Sequence, residues 1–159
     1  MAFMSSMNIV GSGLTAQQLR LDVISENITN MNTTRTENDG GAYRRKMVVF
    51  QEDDGRNDFR AALARAGRSA RLNSIASNAD ADTAGGVKVT AIVEDPEPFK
   101  LVYDPSHPDA NEEGYVELPN ITLVKEITDA MAATQAYSAN VTAFNALKNV
   151  TSKGLEIGR

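Results

Sequence analysis

The sequence predicts an α+β fold in which long N- and C-terminal helices pair as a coiled-coil-like arm, with a small, mostly antiparallel β unit between them. Apolar residues recur at heptad spacing at both ends, short alternating runs occupy the middle, and turn residues separate these runs. We expect an N-terminal axial helix (1–34), a loop and strand (35–53), an arginine-rich variable insertion (54–86), the β unit (87–118) and a C-terminal axial helix (119–159).

The composition limits the core and excludes several classes of function. The chain has 159 residues and a net charge of −5. It contains 21 alanines, and its Leu, Ile, Val and Phe residues number only 35, so a compact core would be thin. The absence of cysteine excludes disulfides, thiolate zinc sites and a cysteine nucleophile. No apolar run approaches the roughly 20 residues of a membrane span, and the acidity argues against nucleic-acid binding.

Residues 3–31 predict an amphipathic helix. Alternating steps of four and three residues define one face, on which only Gln17 is polar. This face comprises Phe3, Met7, Val10, Leu14, Gln17, Leu21, Ile24, Ile28 and Met31. Gly11 and Gly13 each cost about 1 kcal/mol in a helix interior relative to alanine. They mark either a frayed helix start or a place where another backbone approaches closely.

The middle of the chain predicts short strands. Residues 43–50 predict the first strand, and residues 87–93, where valines alternate with other residues, predict the clearest one. Residues 99–103 alternate in another short strand, and residues 115–116 form a brief further one. Two prolines between the strands favour a kinked connection over a tight hairpin.

Two groups of basic residues stand out in this region. Arg44, Arg45 and Lys46 lie in the first predicted strand, where such a triplet is typical of a solvated strand edge. Five arginines lie in residues 56–71 against a single aspartate. That segment is either a mobile surface insertion or a segment that orders against an acidic partner surface; a phosphate backbone is the weaker alternative. The candidates for partner contact are Arg60, Arg65, Arg68 and Arg71.

The C-terminal region predicts a helix of about 30 residues. Asn120, after Pro119, is the predicted N-cap, and Gly154 is the predicted C-terminal stop. One face follows steps of four and three residues through Leu123, Ile127, Ala130, Thr134, Tyr137, Val141 and Phe144, and then drifts through Leu147, Val150 and Leu155. Pairing of the two terminal helices either closes a monomeric helical hairpin or leaves segments that order fully only within an assembly.

The sequence contains no persuasive catalytic, cofactor or metal site. His107 is the only histidine and lies between a serine and a proline in a predicted turn. The acidic pairs lack the glycine and terminal glutamate of a calcium loop, and neither a phosphate-binding glycine motif nor a serine nucleophile elbow occurs. We therefore expect a protein that is not an enzyme and holds no cofactor.

Several ordered motifs resemble those of the flagellar basal-body rod proteins. The N-terminal ones are GLTAQQ (13–18), LDVIS (21–25), NITN (27–30) and NTT (32–34). The downstream ones are YRRK (43–46), PFKLVYDP (98–105), HPDA (107–110), GYV (114–116), PN (119–120) and YSANV (137–141), and they narrow the resemblance to the FlgC family of proximal rod proteins. The arginine-rich residues 56–71 match no motif of this family.

The resemblance implies a structural axial protein that polymerises through its terminal helices into the periplasm-spanning rod, which transmits torque and surrounds the export channel. It also implies export through the flagellar type III apparatus without a cleaved signal peptide. The implied partners are other rod proteins, the rod-base adapter, the MS ring and further copies of the chain, with neither nucleic acid nor membrane insertion. The alternative is another helical flagellar-type axial or adaptor protein that does not enter the rod.

The resemblance and the apolar faces together predict the residues of the assembly interface. In the N-terminal helix they are Val10, Gly13, Leu14, Leu21, Ile24, Asn27, Ile28, Asn30 and Met31. In the C-terminal helix they are Leu123, Ile127, Tyr137, Asn140, Val141, Phe144 and Leu147.

Overall fold

The structure, a computed structural model, describes residues 2–36, 41–53 and 85–157. Its elements follow the order α1 (Ala2–Thr29), β1 (Lys46–Asp53), β2 (Gly86–Glu94), β3 (Lys100–Tyr103), β4 (Tyr115–Leu118) and α2 (Leu123–Ile157). The predicted α+β fold with long terminal helices is confirmed. Nearly all of the predicted arginine-rich insertion lies outside the described residues.

The strands pair in two sheets of two strands each, β1 with β2 and β3 with β4. β3 and β4 are antiparallel, with Val102 opposite Val116 and Tyr103 opposite Tyr115. Directly opposed residues share a face, so the two valines lie on one side and the two tyrosines on the other. Val116 is buried, whereas both tyrosines and Leu101 are exposed. One face of this hairpin therefore packs onto the protein, and the other is open.

β1 begins at Lys46, three residues later than predicted. The preceding residues Ala42 and Tyr43 are buried, and the backbone N–H of Tyr43 donates to the carbonyl of Thr33 at 3.1 Å. Tyr43 is thus held by the loop that follows α1, whereas the carbonyl of Arg45 accepts the backbone N–H of Asp95, directly after β2, at 2.8 Å. The strand was predicted correctly in type but not in position.

Both predicted ends of α2 are wrong. The helix begins at Leu123, and the carbonyl of Thr122 accepts the backbone N–H of Glu126 at 3.1 Å, which gives Thr122 the N-cap position. Asn120 instead donates from Nδ2 to Glu97 Oε2 at 2.7 Å. α2 also continues through Gly154 to Ile157, because Gly154 does not adopt the left-handed conformation of a C-terminal glycine stop.

The chain divides into two compact units, of which unit 2 comprises Gln17–Val49 and Val89–Ala136. α1 and α2 run antiparallel in this unit, because Arg20 Nη2 lies 3.9 Å from Asp129 Oδ1 and Asn27 Nδ2 lies 3.3 Å from Glu126 Oε2. Its buried apolar side chains are Val23, Ile24, Ala42, Tyr43, Val116 and Ala133. The described core is therefore small, as the composition predicted.

Unit 1 comprises Met1–Ala16, Phe50–Lys88 and Tyr137–Arg159. Ala16 is the only buried apolar side chain in its described part. The two glycines of α1 differ: a Cβ on Gly13 would lie 3.0 Å from Asn140 Nδ2, whereas a Cβ on Gly11 would meet nothing within 4 Å. Close approach of the two helices thus explains why position 13 is a glycine, but it does not explain the glycine at position 11.

The start of β2 also lies close to α1 in unit 1. The Ser12 hydroxyl donates to the carbonyl of Ile9 at 2.7 Å and accepts the backbone N–H of Val87 at 3.0 Å. A Cβ on Gly86 would lie only 2.6 Å from the same hydroxyl oxygen. The absence of a side chain at Gly86 therefore permits the contact between strand and helix.

We predict that Gly86→Ala lowers the free energy of unfolding by about 1–2 kcal/mol, because Ser12 must turn away and the amide of Val87 loses its acceptor. Urea denaturation measures this change. Gly11→Ala is the control: its site is open, so removal of a helix-interior glycine should raise the free energy of unfolding by up to about 1 kcal/mol. A Gly86→Ala chain as stable as the wild type would contradict the prediction.

Candidate functional site

Six polar side chains of unit 2 form one connected cluster, which we call the polar clamp. Its members are Asn27, Tyr43, Arg45, Asp95, Glu126 and Asp129. Glu126 is 0% exposed and Asn27 is 1% exposed, and the side chain of Arg45 is 10% exposed. The cluster joins α1, the segment before β1, the residue after β2 and the first turns of α2.

Asn27 connects α1 to both neighbouring segments. Its Oδ1 accepts the backbone N–H of Lys46 at 2.9 Å and the hydroxyl of Tyr43 at 3.1 Å. Its Nδ2 donates to the carbonyl of Lys46 at 2.9 Å and to Glu126 Oε2 at 3.3 Å. A side-chain amide has two donors and two acceptor positions, so every hydrogen-bonding position of Asn27 is occupied. The start of β1 is thereby attached to the helix by a pair of bonds resembling those of a neighbouring strand.

Arg45 lies among three carboxylates. Its Nε donates to Glu126 Oε1 at 2.6 Å, its Nη1 to Asp95 Oδ2 at 3.3 Å and its Nη2 to Asp129 Oδ2 at 3.4 Å. Burial by itself would lower the pKa of Arg45, but the hydrogen bonds and charges of Glu126 and Asp95 raise it above its ordinary value. Arg45 therefore remains a cation inside the unit.

The balance of charge decides what the clamp contributes. A buried ion pair is weakly stabilising as a whole, but removal of one partner leaves an uncompensated buried charge and costs about 3–5 kcal/mol. If Arg45 is removed, water cannot take its place beside the Glu126 carboxylate, because the Glu126 side chain is fully buried. Asp129 is partly exposed and also lies near Arg20, so the excess negative charge is at the solvated side of the cluster.

The prediction that residues 44–46 form a solvated strand edge is wrong for Arg45. Its two neighbours do lie at the surface: the guanidinium carbon of Arg44 is 4.5 Å from the ring centroid of Phe99, and Lys46 pairs with Glu26. Side chains alternate along an extended segment, so the central residue of the triplet points away from the other two. The alternation of side chains along a predicted strand was therefore the sequence signal that the three basic residues cannot all face solvent.

The structure places the predicted interface residues of α1 at different depths. Ile24 and Asn27 are buried within the chain. The half-buried ones are Val10, Gly13, Leu14, Leu21, Ile28, Asn30 and Met31. Asn30 also closes the helix end, since its Nδ2 donates to the carbonyl of Glu26 at 2.9 Å. Contacts of these residues with other subunits stay a prediction.

The predicted interface residues of α2 are half-buried in its later part, at Tyr137, Asn140, Val141, Phe144 and Leu147. In its first turns, Leu123 and Ile127 are exposed, as are Val124 (73%) and Met131 (69%). We call these four residues the outer apolar face. The buried positions in the same turns are Glu126 and Ala133. The apolar spacing predicted Leu123 and Ile127 of the outer apolar face but not Val124 or Met131. It missed the inner side because that side carries an acidic and a small side chain.

The described residues contain no group of three His, Asp or Glu side chains that could hold a metal ion. Within the same residues, no helix is long and apolar enough to cross a membrane. His107 lies in a turn, where its Nδ1 accepts the backbone N–H of Asp109 at 3.1 Å. The predicted partner contacts Arg60, Arg65, Arg68 and Arg71 lie outside the described residues.

We predict that Arg45→Gln lowers the free energy of unfolding by about 3–5 kcal/mol, because Glu126 and Asp95 lose their buried counter-charge. The adjacent Arg44→Gln is the matched control. Arg44 is exposed and its Nε lies 4.0 Å from Glu94, so its loss should cost less than about 1 kcal/mol. Urea denaturation of both variants provides the comparison, and equal effects would show that Arg45 is not a buried cation.

We predict that the contribution of Tyr43 to the free energy of unfolding is lost at alkaline pH. Burial, reinforced by the nearby charge of Glu26, raises the pKa of Tyr43 above its ordinary value. Above pH about 10 the unfolded chain loses the phenolic proton while the folded chain keeps it, so this contribution is complete below pH 10 and declines as the pH rises. The difference in unfolding free energy between the wild type and Tyr43→Phe should therefore shrink from about pH 8 to pH 11. A difference that does not depend on pH would contradict this assignment.

Comparison with protein families places both terminal regions in rod proteins. The family described as "Flagella basal body rod protein" matches residues 7–35. The family described as "Flagellar basal body rod FlgEFG protein C-terminal" matches residues 112–157. The matched regions include most of α1 and all of α2.

Relatives from distant bacteria match along the whole chain. The chain is 46% identical over 157 residues to the flagellar basal-body rod protein FlgC of Bacillus subtilis, which covers 97% of each chain. It is 40% identical over 161 residues to FlgC of Borreliella burgdorferi, covering 99% of this chain and 98% of the relative. It is 35% identical over 159 residues to FlgC of Salmonella typhimurium, covering both chains completely. The chain therefore belongs to the FlgC family of flagellar basal-body rod proteins, and it is a structural component of the rod.

Proposed function

We propose that this rod component polymerises by burying the outer apolar face of α2 against neighbouring subunits. In this proposal the assembled subunits form the proximal rod, which transmits torque across the periplasm and surrounds the export channel. The observation that carries the proposal is the exposure of Leu123, Val124, Ile127 and Met131 on one side of α2.

The spacing of these residues makes them a single surface. Leu123, Ile127 and Met131 are separated by four residues each, and Val124 lies three before Ile127, so the four side chains are neighbours on the helix. Full burial of one such side chain contributes roughly 1.5–3 kcal/mol. A contiguous exposed apolar surface of this kind marks an interaction site.

Unit 1 supports the same proposal from its own residues. Ala16 is its only buried apolar side chain among those described, and Val150 and Leu155 of α2 are exposed. Helix segments with so little burial of their own are marginal in water. We infer that the half-buried interface residues predicted for this part of α1 and α2 gain burial from adjacent subunits.

The partners that we propose are other rod proteins, the rod-base adapter, the MS ring and further copies of the chain. We also propose that the flagellar type III export apparatus is a partner during secretion and exports the chain without a cleaved signal peptide. Membership of the FlgC family supports these partners as a group. The outer apolar face supports self-association and contact with other helical rod subunits most directly.

The double variant Ile127→Asp, Met131→Asp tests the outer apolar face. In flagellated cells that depend on this chain for their rod, we expect loss of swimming and of rod incorporation. Met131 is 69% exposed and Ile127 is 46% exposed, so the free energy of unfolding should fall by no more than about 1 kcal/mol per substitution.

Ile127→Leu, Met131→Leu is the matched control and should swim normally, because it keeps the surface apolar. Swimming speed and the amount of chain in purified basal bodies are the two measurements. Normal swimming of the aspartate variant would contradict the proposed contact.

A further inference from the structure

The open face of the β3–β4 hairpin is a second surface without a described partner. Leu101, Tyr103, Tyr115 and Glu117 lie on this side, opposite the buried Val116. Tyr103 is 65% exposed although it belongs to a regular strand. We call these four residues the hairpin face. Exposed aromatic side chains on a sheet are a common feature of protein interfaces.

Contacts within the chain hold the two rings of the hairpin face. The rings of Tyr103 and Tyr115 pack edge to face, with their centroids 5.3 Å apart and their planes inclined by 66°. Gly114 has a positive φ of 83°, and a Cβ there would lie 3.0 Å from Cε2 of Tyr103, so the bare backbone makes room for the ring. Preorganised rings lose little conformational entropy on binding.

The surroundings of the hairpin face are strongly acidic. Residues 100–124 contain five acidic side chains and one basic side chain, Lys100 at the start of β3, which gives a net charge of −4 with His107 neutral. Hydrogen bonds from the hydroxyl and backbone N–H of Ser106 lower the pKa of Asp104, so this carboxylate keeps its charge. Asp109 is partly compensated, since Arg35 lies 3.9 Å from it. Three further carboxylates are exposed: Glu117 lies within β4, and Glu112 and Glu113 lie in the loop that precedes it.

We propose that the hairpin face binds the arginine-rich residues 56–71 of a second copy of this chain. That segment has five arginines and one aspartate, a net charge of +4, and it contains Phe59 and Leu63 as apolar side chains. Guanidinium groups pair with carboxylates in a planar geometry and also stack on tyrosine rings. The charge and the aromatic content of the hairpin face thus match the same ligand.

The repetition of subunits favours a second copy as the source of this segment. Two different complementary surfaces on one chain produce a head-to-tail contact that propagates from copy to copy, as a rod requires. The inference rests on the proposed function only in assuming that copies of the chain are neighbours. It adds a contact outside the terminal helices and gives a role to the arginine-rich segment, which lies outside the two regions that match the rod-protein families.

Two complementary variants test the contact, both in an Ile127→Asp background that disables the proposed helix contact. The face variant carries Glu112→Gln, Glu113→Gln and Glu117→Gln, and the segment variant carries Arg60→Gln, Arg65→Gln, Arg68→Gln and Arg71→Gln. Each variant alone should sediment as a monomer. Their equimolar mixture should form dimers, because one intact hairpin face then meets one intact segment, and an increase in NaCl from about 0.05 to 0.5 M should weaken this association at least about tenfold.

Circular dichroism checks that both variants remain folded. A mixture that stays monomeric overturns the proposal, and so does dimerisation of the face variant alone. The parent Ile127→Asp chain keeps both surfaces and should also associate; if it stays monomeric while the mixture dimerises, the segment binds its own chain and the proposal is overturned. Tyr103→Thr in the segment variant should weaken the mixed dimer about two- to fivefold, and an unchanged affinity would exclude the tyrosine contact. Failure here leaves the helix contact untouched, because that contact is tested separately by swimming.

Discussion

The buried ion pair of Arg45 and Glu126 is the contact on which the pairing of α1 and α2 in unit 2 depends. Six apolar side chains, two of them alanines, form the described core of this unit, so apolar burial alone would hold the helices weakly. Arg45 and Asn27 connect α2, the start of β1 and α1 through hydrogen bonds, and among these groups Asn27 and Glu126 are almost completely buried. Loss of one partner leaves the remaining buried polar groups without a partner or solvent. The cluster therefore favours this one pairing of the helices, even where its net contribution to stability is modest.

The same constraint explains why the protein presents an apolar surface. Glu126 and Ala133 occupy buried positions of α2, so the larger Ile127 and Met131 face solvent in the same turns. A monomeric protein would gain stability from the reverse arrangement. In the proposed assembly these apolar residues contact neighbouring subunits, and the polar groups fix which side of the helix they occupy.

The sequence predicted the elements more accurately than their environments. Heptad spacing identified both helices, and the alternation of valines identified β2, because these periods follow from backbone geometry. The side of α2 that faces the interior of unit 2 could not be predicted, because apolar spacing assigns apolar residues to the inside and Glu126 to the surface. The burial of Arg45 depends on carboxylates 50 to 84 positions away in the chain, which no local pattern reveals. Asn120 had the chemistry of an N-cap, but its contact with Glu97 left that position to Thr122.

Hydrogen exchange at the backbone amide of Lys46 in the dilute, monomeric chain tests the central claim most directly. This N–H donates to Asn27 Oδ1 across the junction of β1 and α1, and it has no role in a helix. If the polar clamp forms within a single chain, the amide should exchange only through unfolding of the whole unit, with the same protection as the central amides of α1. Exchange at the rate of an unprotected amide, with α1 still protected, would show that the clamp is absent from the free subunit.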